Sequence, residues 1–473
     1  MKKLKYALLI FMTAIIFAAQ AQAYSTKNYV LGDSSDVRES IPLAYIFADR
    51  LVLRDESGGL NNPQDLFIDK NGMLYIADTG NNRVVCMDTQ GNVKKIFDKE
   101  GLFNQPSGLF VDNGGDIYVA DTGNERIVHL AADGTEVEEF GKPKSELLSD
   151  VTTFNPSKVL INKTGYIYFL KGQYFMTMDA ENNFRGYMGA NKVGFDLTQF
   201  FINLFASEEQ KSKLTKNEAL AYLNFHMNSE GDIYATVAGQ TGQIRKINSV
   251  GENVYPAKFY GEINESGTTV EYPQFVDITS DANEIITVID QTSAKLYQYD
   301  IEGHLLAVFG GKGQTNGFFN VPTSLTVDNQ GRIYVLDGAN NDIQVLEPTA
   351  FITRVHSAIG KTLSGRYDEA KKDWQAVIEL GPNYTLSHEG LGKLYYKEKD
   401  YSRAMEEYRL ANNQSGYGSS FAQLRLEYFQ QHFGVVVFIT IAIFIVFVFL
   451  IIKGKRLAGF LLNDIYHKRG GII

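Results

Sequence analysis

The stretch NPQDLFIDKNGMLYIADTGNNRVV at residues 62–85 returns as QPSGLFVDNGGDIYVADTGNERIV at residues 105–128. The two copies align without a gap at a spacing of 43 residues. Each copy holds short apolar runs separated by segments rich in Asp, Asn and Gly, the pattern of strands joined by tight turns. A strand-built repeat of about 40 to 50 residues is typical of a β-propeller, in which each repeat forms one blade.

Each part of the repeat has a local physical role. Pro63 ends the incoming loop, and the apolar run Leu66–Ile68 follows as the first strand. An Asp-x-x-Gly turn comes next, where Gly72 can adopt the positive φ that the turn needs. A second strand at Leu74–Ala77 leads to the turn Asp-Thr-Gly-Asn-Asn, and a third strand begins at Arg83. The pattern therefore predicts an antiparallel blade.

Four weaker copies bring the number of units in residues 41–349 to six. Their first strands begin near Pro156, Phe225, Pro273 and Pro322. The sixth unit lacks an outer strand, and the segment Leu43–Phe47, upstream of the first unit, is predicted to supply it. Pairing the two ends of the chain in this way closes the ring and removes exposed sheet edges.

The runs YIADTGNNRVV at 75–85 and YVADTGNERIV at 118–128 resemble NHL repeats. The resemblance implies a mainly β protein with a six-bladed propeller over residues 41–349. The simplest interpretation of the acid and the base that flank the turn is structural: they form an ion pair that holds the hairpin of each blade. They are Asp78 with Arg83 and Asp121 with Arg126.

Two segments depart from the strand pattern. Residues 191–223 lengthen the interval between the third and fourth units, and their apolar residues fall at helical spacing, which predicts a helical insertion. A lid, a partner surface and packing over the propeller rim are all compatible with it. Residues 353–412 repeat at a period of 34 and resemble two tetratricopeptide repeats. With a capping helix, they predict a small helical domain at 353–433.

The two ends of the chain predict an extracytoplasmic protein with one membrane span. Residues 1–23 combine three lysines, an apolar segment and an Ala-x-Ala site, as a secretory signal peptide does. Residues 434–452 contain no charge and would reach about 28 Å as a helix. The basic residues in 453–473 place that tail in the cytoplasm. The arrangement is a single-pass type I protein of the cell membrane, and the absence of disulfides favours a bacterial surface.

Charge and cysteine content exclude several classes of partner and site. The chain of 473 residues has a net charge of −10. Because residues 1–23 carry +3 and residues 453–473 carry +4, the region between them carries −17. Such an acidic body is repelled by phosphate backbones, so nucleic acid is not predicted as a partner. The single cysteine excludes an internal disulfide and a Cys-cluster metal site.

Catalysis receives little support from the residues. Propeller lactonases, as a family, hold a divalent metal in the central channel through residues at the starts of the inner strands. Those positions here are read as Gln64-Asp65, Ser107-Gly108, Ser157-Lys158, Phe225-His226, Gln274-Phe275 and Thr323-Ser324. Only Asp65 and His226 are credible metal ligands, and Lys158 would oppose a cation. No catalytic residue, metal or other cofactor is therefore assigned.

Binding is the preferred function. The turns between the second and third strands of the blades would gather amide and acidic side chains on one face of the disc. They are Asn81, Asn82, Asn124, Glu125, Gln240, Gln291, Asn340 and Asn341. The prediction is a membrane-anchored extracytoplasmic scaffold whose propeller and helical repeats bind a protein or a glycan. The alternatives are a membrane-tethered hydrolase or lyase of the gluconolactonase type and an accessory subunit of a transporter or exporter.

Overall fold

The computed structural model describes residues 28–31, 38–53, 58–145, 148, 153–188, 221–228, 230–249, 251–266 and 269–469. The predicted signal peptide at 1–23 lies outside these residues, and so does most of the predicted insertion at 191–223. Two compact units divide the chain, residues 1–384 and residues 385–473. Each unit is described by itself below.

Six blades form the propeller in the first unit, and the strands are numbered in chain order. Among the described residues before the first repeat there are three strands, β1 (Tyr29–Leu31), β2 (Arg38–Ser40) and β3 (Tyr45–Leu51). Blade 1 contains β4 (Asp65–Ile68), β5 (Leu74–Asp78), β6 (Arg83–Met87) and β7 (Val93–Phe97). Blade 2 contains β8 (Pro106–Val111), β9 (Ile117–Asp121), β10 (Arg126–Leu130) and β11 (Glu136–Phe140).

The remaining blades are less uniform. Blade 3 contains β12 (Pro156–Ile161), β13 (Ile167–Lys171), β14 (Tyr174–Met178) and β15 (Phe184–Tyr187). Blade 4 has three strands, β16 (Ala221–Met227), β17 (Ile233–Ala238) and β18 (Ile244–Ile247), and a hairpin of β19 (Asn264–Ser266) and β20 (Thr269–Glu271) follows it. Blade 5 contains β21 (Phe275–Ser280), β22 (Ile286–Asp290), β23 (Lys295–Tyr299) and β24 (Leu305–Gly310). Blade 6 contains β25 (Pro322–Val327), β26 (Ile333–Asp337) and β27 (Asp342–Pro348).

The predicted closure of the ring is confirmed, with a strand that lies slightly downstream of Leu43–Phe47. Strand β3 pairs antiparallel with β27 and becomes the fourth strand of blade 6, from Leu51 opposite Ile343 to Tyr45 opposite Pro348. The predicted insertion needs a correction at its end. Residues 221–223 belong to strand β16, where Tyr222 pairs with Val237, and are not helical.

Strands β1 and β2 extend blade 5, which the repeat pattern does not indicate. Strand β1 pairs with β24, and Tyr29 lies opposite Val308. The buried carboxylate of Glu262 holds this addition in place, because it accepts hydrogen bonds from the hydroxyl of Tyr29, Arg38 Nε (2.8 Å) and Lys295 Nζ (2.6 Å). Burial alone would raise the pKa of Glu262, but these donors hold it below its ordinary value.

The apolar core lies between neighbouring blades, because alternate side chains of each strand face the next sheet. One cluster joins blades 1 and 2 through Val84, Val119 and Val128, each fully buried. Another joins blades 6 and 1 through Leu336, Ile343 and Leu74. The apolar core therefore includes the joint between the first and last repeats of the ring.

Six helices follow the propeller. They are α1 (Ala350–Leu363), α2 (Tyr367–Leu380), α3 (Thr385–Lys397), α4 (Tyr401–Leu410), α5 (Gln414–Gln431) and α6 (Phe433–Arg469). Helices α1 and α2 pack on each other within the first unit, and α3, α4 and α5 pack in sequence within the second. Gly392 of α3 lies so close to Tyr408 of α4 that an added methyl group would be 2.9 Å from the ring. A small residue is therefore required at that helix contact.

Candidate functional site

The blade turn that the first two repeats share is a hydrogen-bonded network around Asp78. One carboxylate oxygen of Asp78 accepts from the backbone N–H of Asn61 at 2.7 Å. The other accepts from Asn81 Nδ2 at 2.9 Å and from Arg83 Nε at 2.7 Å. Arg83 also donates to the carbonyl oxygens of Gly58 and Gly59, both at 3.1 Å. The ion pair thus holds the loop that leads into its own blade.

Blade 2 repeats this arrangement with a more exposed arginine. Asp121 accepts from the backbone N–H of Asn104 at 2.6 Å and from Arg126 Nε at 2.8 Å. The Arg126 side chain is 18% exposed, whereas that of Arg83 is 4% exposed. Arg126 additionally pairs with the exposed Glu139.

Blade 6 replaces the arginine by an acid, and the closing strand supplies the base. Asp342 occupies the position of Arg83, and Arg50 Nη1 of β3 lies 3.0 Å from Asp342 Oδ2. Burial raises the pKa of Asp342, although Arg50 opposes that shift. The departure from the repeat pattern at this position therefore belongs to the ring closure.

We expect the two motif arginines to differ in their contribution to stability. Replacing Arg83 by methionine leaves the carboxylate of Asp78 buried without its cation, which costs about 3 to 5 kcal/mol in the free energy of unfolding. Replacing Arg126 by methionine is expected to cost less, because water reaches the guanidinium group of Arg126 and already weakens that ion pair. Urea unfolding of the full chain in detergent, followed by the fluorescence of the single tryptophan, measures both. Equal losses would contradict this burial argument.

The predicted binding face is largely occupied by contacts within the propeller. Asn82, Glu125 and Asn341 adopt left-handed backbone conformations, and each accepts a backbone N–H from the next blade. The donors are Gln105 (2.8 Å), Phe154 (3.2 Å) and Asn62 (2.8 Å), in that order. The last of these bonds joins blade 6 to blade 1. These three side chains therefore connect successive blades.

Four other residues of that face are held within the turns or by the next strand. Asn81 donates to Asp78, Asn124 to Asp121 (2.8 Å) and Asn340 to Asp337 (3.0 Å), while Gln291 donates to the carbonyl oxygen of Pro322 (3.3 Å). Gln240 is exposed and, among the described residues, forms no side-chain hydrogen bond. The structure places all eight residues at turns of the predicted face, where seven have structural partners.

A ring of six equivalent residues surrounds the central channel. In five blades the residue lies on the inner strand opposite the last but one residue of the second strand, as Asp65 lies opposite Ala77, and in blade 4 Asn224 lies opposite Thr236, two residues before the end of β17. The ring consists of Asp65, Gly108, Lys158, Asn224, Asp277 and Ser324. A methyl group at Gly108 would lie 2.4 Å from the carbonyl oxygen of Ser157, so this position cannot carry a side chain without a backbone shift.

The charged members of the ring are paired with one another. Lys158 Nζ lies 2.6 Å from Asp65 Oδ1, and Asp65 Oδ2 accepts from the backbone N–H of Leu109 at 2.8 Å. The hydroxyl of Ser324 donates to Asp277 Oδ2 at 2.5 Å, and it lies 3.2 Å from Asp65 Oδ1. All four side chains are largely buried.

Burial and the neighbouring charges shift the pKa values of this network. Burial raises the pKa of Asp277 to about 6, and the charge of Asp65 adds to the shift while Lys158 opposes it. Burial would lower the pKa of Lys158, but Asp65 and Asp277 outweigh that effect and raise it. Lys158 therefore stays protonated, and Asp277 changes charge at mildly acidic pH.

His226 lies one layer deeper in the channel, two residues beyond Asn224 on the same strand. Burial, with a contribution from the charge of Lys158, lowers its pKa to about 4. Its imidazole is therefore neutral at physiological pH. Among the described residues, it has no hydrogen-bond partner.

The residues of the channel do not fit a divalent metal of the lactonase kind. Asp65, one of the two weak candidate ligands, uses both oxygens within the protein and pairs with the ammonium group of Lys158. A lysine cation in the ring opposes a second cation. His226 is two positions away from the ring along its strand and has no carboxylate partner. The ring thus contains its own positive charge.

An acidic cluster outside the channel is also paired with a lysine. Single oxygens of Glu230, Asp232 and Glu284 lie within 4.8 Å of one another. Lys246 Nζ lies 2.8 Å from Asp232 and 3.2 Å from Glu284, so it neutralises much of this cluster. The cluster is therefore accounted for by an internal ion pair.

Reading the inner strands from their starts misaligned blades 4 and 5. The ring residues there are Asn224 and Asp277, whereas the sequence reading took Phe225-His226 and Gln274-Phe275. In blade 5 the proline that precedes the strand, Pro273, lies four positions before Asp277, whereas in blades 2 and 6 the proline lies two positions before the ring residue, and blade 4 has no proline at this place. Counting back from Asp290 at the end of β22 would have found Asp277.

Comparison with known protein families supports the repeat. The NHL repeat matches residues 60–87, 103–130 and 319–346, so the sixth unit carries the motif despite Asp342. No curated protein matches this chain.

Among solved structures, the chain is similar to a streptogramin B lyase, with 14% identity over 65% of this chain and 98% of that one, and a TM-score of 0.41. A virginiamycin B lyase from Staphylococcus aureus has 12% identity over 64% and 99%, with a TM-score of 0.40. The Cps50 β-propeller domain of Myceliophteria thermophila has 11% identity over 64% and 100%, with a TM-score of 0.42. At these values the likeness carries no statement about activity.

Proposed function

We propose that this chain is a membrane-anchored extracytoplasmic scaffold whose propeller binds a protein partner. In this proposal, the signal peptide exports residues 24–433, the apolar helix anchors them, and the basic tail stays in the cytoplasm. The tail of 453–473 is too short for a signalling domain, so the bound partner would have to act through another membrane protein.

The observation that carries the proposal is the segment Phe433–Gly459 of helix α6. It has a mean hydropathy of 3.6 in its most apolar window, and none of that window is buried. As a helix, 27 residues extend about 40 Å, enough to cross a hydrocarbon core of about 30 Å. An apolar helix with no protein cover is stable in a bilayer and costly in water. This supports anchoring.

Binding is favoured over catalysis because the channel neutralises its own charges. The polar groups at its centre are paired by ion pairs and hydrogen bonds among Lys158, Asp65, Asp277 and Ser324. A closed network of this kind stabilises the centre of a propeller, and it offers no free carboxylate pair for acid–base chemistry. The exposed turns around Gln240 remain available to a partner.

A hydrolase or lyase is the second candidate, and a specific observation favours it. The pKa of Asp277 is raised to about 6, mainly by burial, and His226 is neutral and without a hydrogen-bond partner in the described part of the chain. Shifted pKa values in a channel are frequent at catalytic sites. In that case Asp277 would exchange a proton with the substrate. Replacing Asp277 by asparagine would then abolish turnover, whereas a scaffold would keep its partner.

The single cysteine makes the topology directly measurable. Cys86 is 6% exposed, and burial raises the pKa of its thiol, so it reacts poorly with maleimides. We expect an impermeant maleimide to label a Gln240→Cys variant on intact cells or spheroplasts. A Lys455→Cys variant should be labelled only after permeabilisation, and the unmodified chain serves as the background control. Labelling of Lys455→Cys on intact cells would contradict the proposed orientation.

Partner binding can be tested with the same variant. A maleimide-linked photo-cross-linker at Gln240→Cys samples the face of the turns that join second and third strands. Thr164→Cys, in the exposed turn between β12 and β13, samples the opposite face and serves as the matched control. We expect a discrete protein adduct from position 240 and none from position 164. An adduct from position 164 alone, or one removed by glycosidase, would contradict the proposed face or the protein nature of the partner.

A further inference from the structure

A chamber of about 670 Å³ lies on the face opposite the predicted binding face. The turns between first and second strands of blades 1, 4, 5 and 6 form part of its wall, and helix α1 forms the rest. His356 and Lys361 of α1 line it, together with Asp69, Asn283 and Asn329 from the turns. Helix α1 belongs to the same compact unit as the propeller.

The chamber continues into a narrower cavity of about 140 Å³ within the channel. His226 lines both spaces and therefore marks their junction. An apolar cavity of about 150 Å³ accommodates a benzene molecule. The channel cavity is thus the size of a single six-membered ring, with the larger chamber beside it.

The layer of side chains at this junction is divided into two chemically different halves. Each residue lies two positions beyond a ring residue on its inner strand, so it faces the channel as well. Blades 1 to 3 contribute Phe67, Phe110 and Leu160, and blades 4 to 6 contribute His226, Thr279 and Thr326. The rings of Phe67 and Phe110 meet edge to face, with centroids 5.3 Å apart. One half is therefore apolar and the other polar.

The polar half lacks hydrogen-bond partners within the described part of the protein, and its two threonines are buried. Thr279 is 3% exposed and Thr326 is 7% exposed. Within the described residues, neither hydroxyl has a hydrogen-bond partner, and the same holds for the imidazole of His226. Buried polar groups are normally paired, so the two unpaired threonine hydroxyls, with the partly exposed imidazole of His226 beside them, indicate a ligand or ordered water in the cavity.

Charged groups near the cavity have partners of their own. Lys361 Nζ lies 2.6 Å from Asp373 Oδ2, and Lys70 Nζ donates to the carbonyl oxygen of Asn113 at 2.5 Å. The ring above the cavity pairs Lys158 with Asp65. An anionic ligand group in the channel would therefore lack a free counter-ion, and a cationic one would face the ammonium group of Lys158, so burying either would be costly.

We infer that the channel and chamber bind a neutral hydroxylated aromatic compound, with its ring against Phe67, Phe110 and Leu160 and its hydroxyl toward His226, Thr279 and Thr326. A sugar fits this layer less well, because hydroxyl groups surround a sugar ring and those facing the apolar half would lose their hydrogen bonds. A phenol has a polar group on one edge only, which matches the two halves. The chamber leaves room for substituents.

This site goes beyond the scaffold function proposed above and does not depend on it. It uses residues of the opposite face and of the channel interior, whereas the scaffold proposal rests on the outer turns and the membrane helix. A failure of the partner cross-linking would leave the ligand site untouched, and the reverse also holds.

The probe for the test is 4-fluorophenol, observed by ¹⁹F relaxation with the full chain in lipid nanodiscs at pH 7. We expect saturable binding that weakens about fivefold in Thr326→Val and in His226→Ala, the effect of one neutral hydrogen bond each. Thr177→Val and His304→Ala are the matched controls, because both lie outside the channel, and they should leave the affinity unchanged. Thermal melting of each variant verifies folding.

Three outcomes would overturn the inference. The first is equal affinity of the channel variants and their controls, which would indicate partition into lipid. The second is displacement of 4-fluorophenol by methyl glucoside, which would assign the cavity to a sugar. The third is tighter binding of benzoate than of 4-fluorophenol, which would mean that the cavity accepts an anion. Thr326→Val keeps the shape of the side chain, so loss of folding is not expected to obscure the result.

Discussion

A chain that lacks residues 24–51 is expected to lose cooperative unfolding and to aggregate. The deletion removes strand β3, which pairs with β27 along its whole length and completes blade 6. It also removes Leu51, which is 4% exposed and packs with Leu336 and Ile343 between blades 6 and 1. Without β3, the strand β27 becomes an open edge that can pair with other chains. Urea unfolding and light scattering of the full chain in detergent measure both effects.

A shorter deletion provides the control. Removing residues 24–40 takes away β1 and β2 but leaves β3 and the ring closure intact. Two donors to Glu262, the hydroxyl of Tyr29 and Arg38, are lost, while Lys295 remains paired with it. We therefore expect a lower free energy of unfolding with cooperativity retained. If the 24–51 deletion unfolds like this control, the ring is closed in another way.

The second large effect is expected at the centre of the channel. Replacing Lys158 by methionine leaves Asp65 and Asp277 buried without their cation. Removing one member of a buried ion pair typically costs about 3 to 5 kcal/mol. We expect a loss of that size in the free energy of unfolding at pH 7, measured by urea unfolding with the fluorescence of Trp374. An unchanged stability would show that water, rather than Lys158, compensates the two carboxylates.

The pH dependence of stability gives an independent test of the same network. The pKa of Asp277 is about 6 in the folded chain, above the value near 3.9 of an unfolded aspartate. The folded state therefore binds more protons between these values, and its stability falls as pH rises from about 4 to about 6. A shift of about two units corresponds to about 3 kcal/mol at most.

Replacing Asp277 by asparagine should remove this part of the pH dependence. The quantity to compare is the difference in the free energy of unfolding between the original chain and the Asp277→Asn variant across pH 4 to 6. Because other titrating groups are common to both, their contributions cancel in that difference. A constant difference over this range would contradict the raised pKa of Asp277.

Local chemistry was sufficient to predict the blades from the sequence. The turn at Asp78–Arg83 needs only neighbouring residues: an acid to accept backbone N–H groups, a glycine, and an arginine five positions on. Because these requirements are local, they recur with the repeat, and the repeat predicts the propeller. The closing strand was predictable as well, since a ring with one strand missing requires a partner from the other end of the chain.

The long apolar helix is also predictable from composition. A run of 19 uncharged, mainly apolar residues is too long for a strand and too apolar for an exposed helix, whatever the rest of the fold. The eight residues of the predicted face lie at turns, as the repeat pattern indicates, but the sequence could not assign the contacts of their side chains. Whether Asn82 binds a ligand or the backbone N–H of Gln105 depends on how blade 2 sits against blade 1.

Only the tertiary structure decided which residues meet in the channel. Ser324 lies 3.2 Å from Asp65 although 259 residues separate them, because ring closure places blade 6 beside blade 1. Asp277 lies beside these two residues because a β-bulge between Phe275 and Asp277 shifts the register of its strand by one residue. The register determines which side chains face the channel. Helix α1 covers one side of the chamber through packing that no repeat encodes. Local turn chemistry therefore specifies the blades, whereas strand register and ring closure specify which residues meet in the central channel.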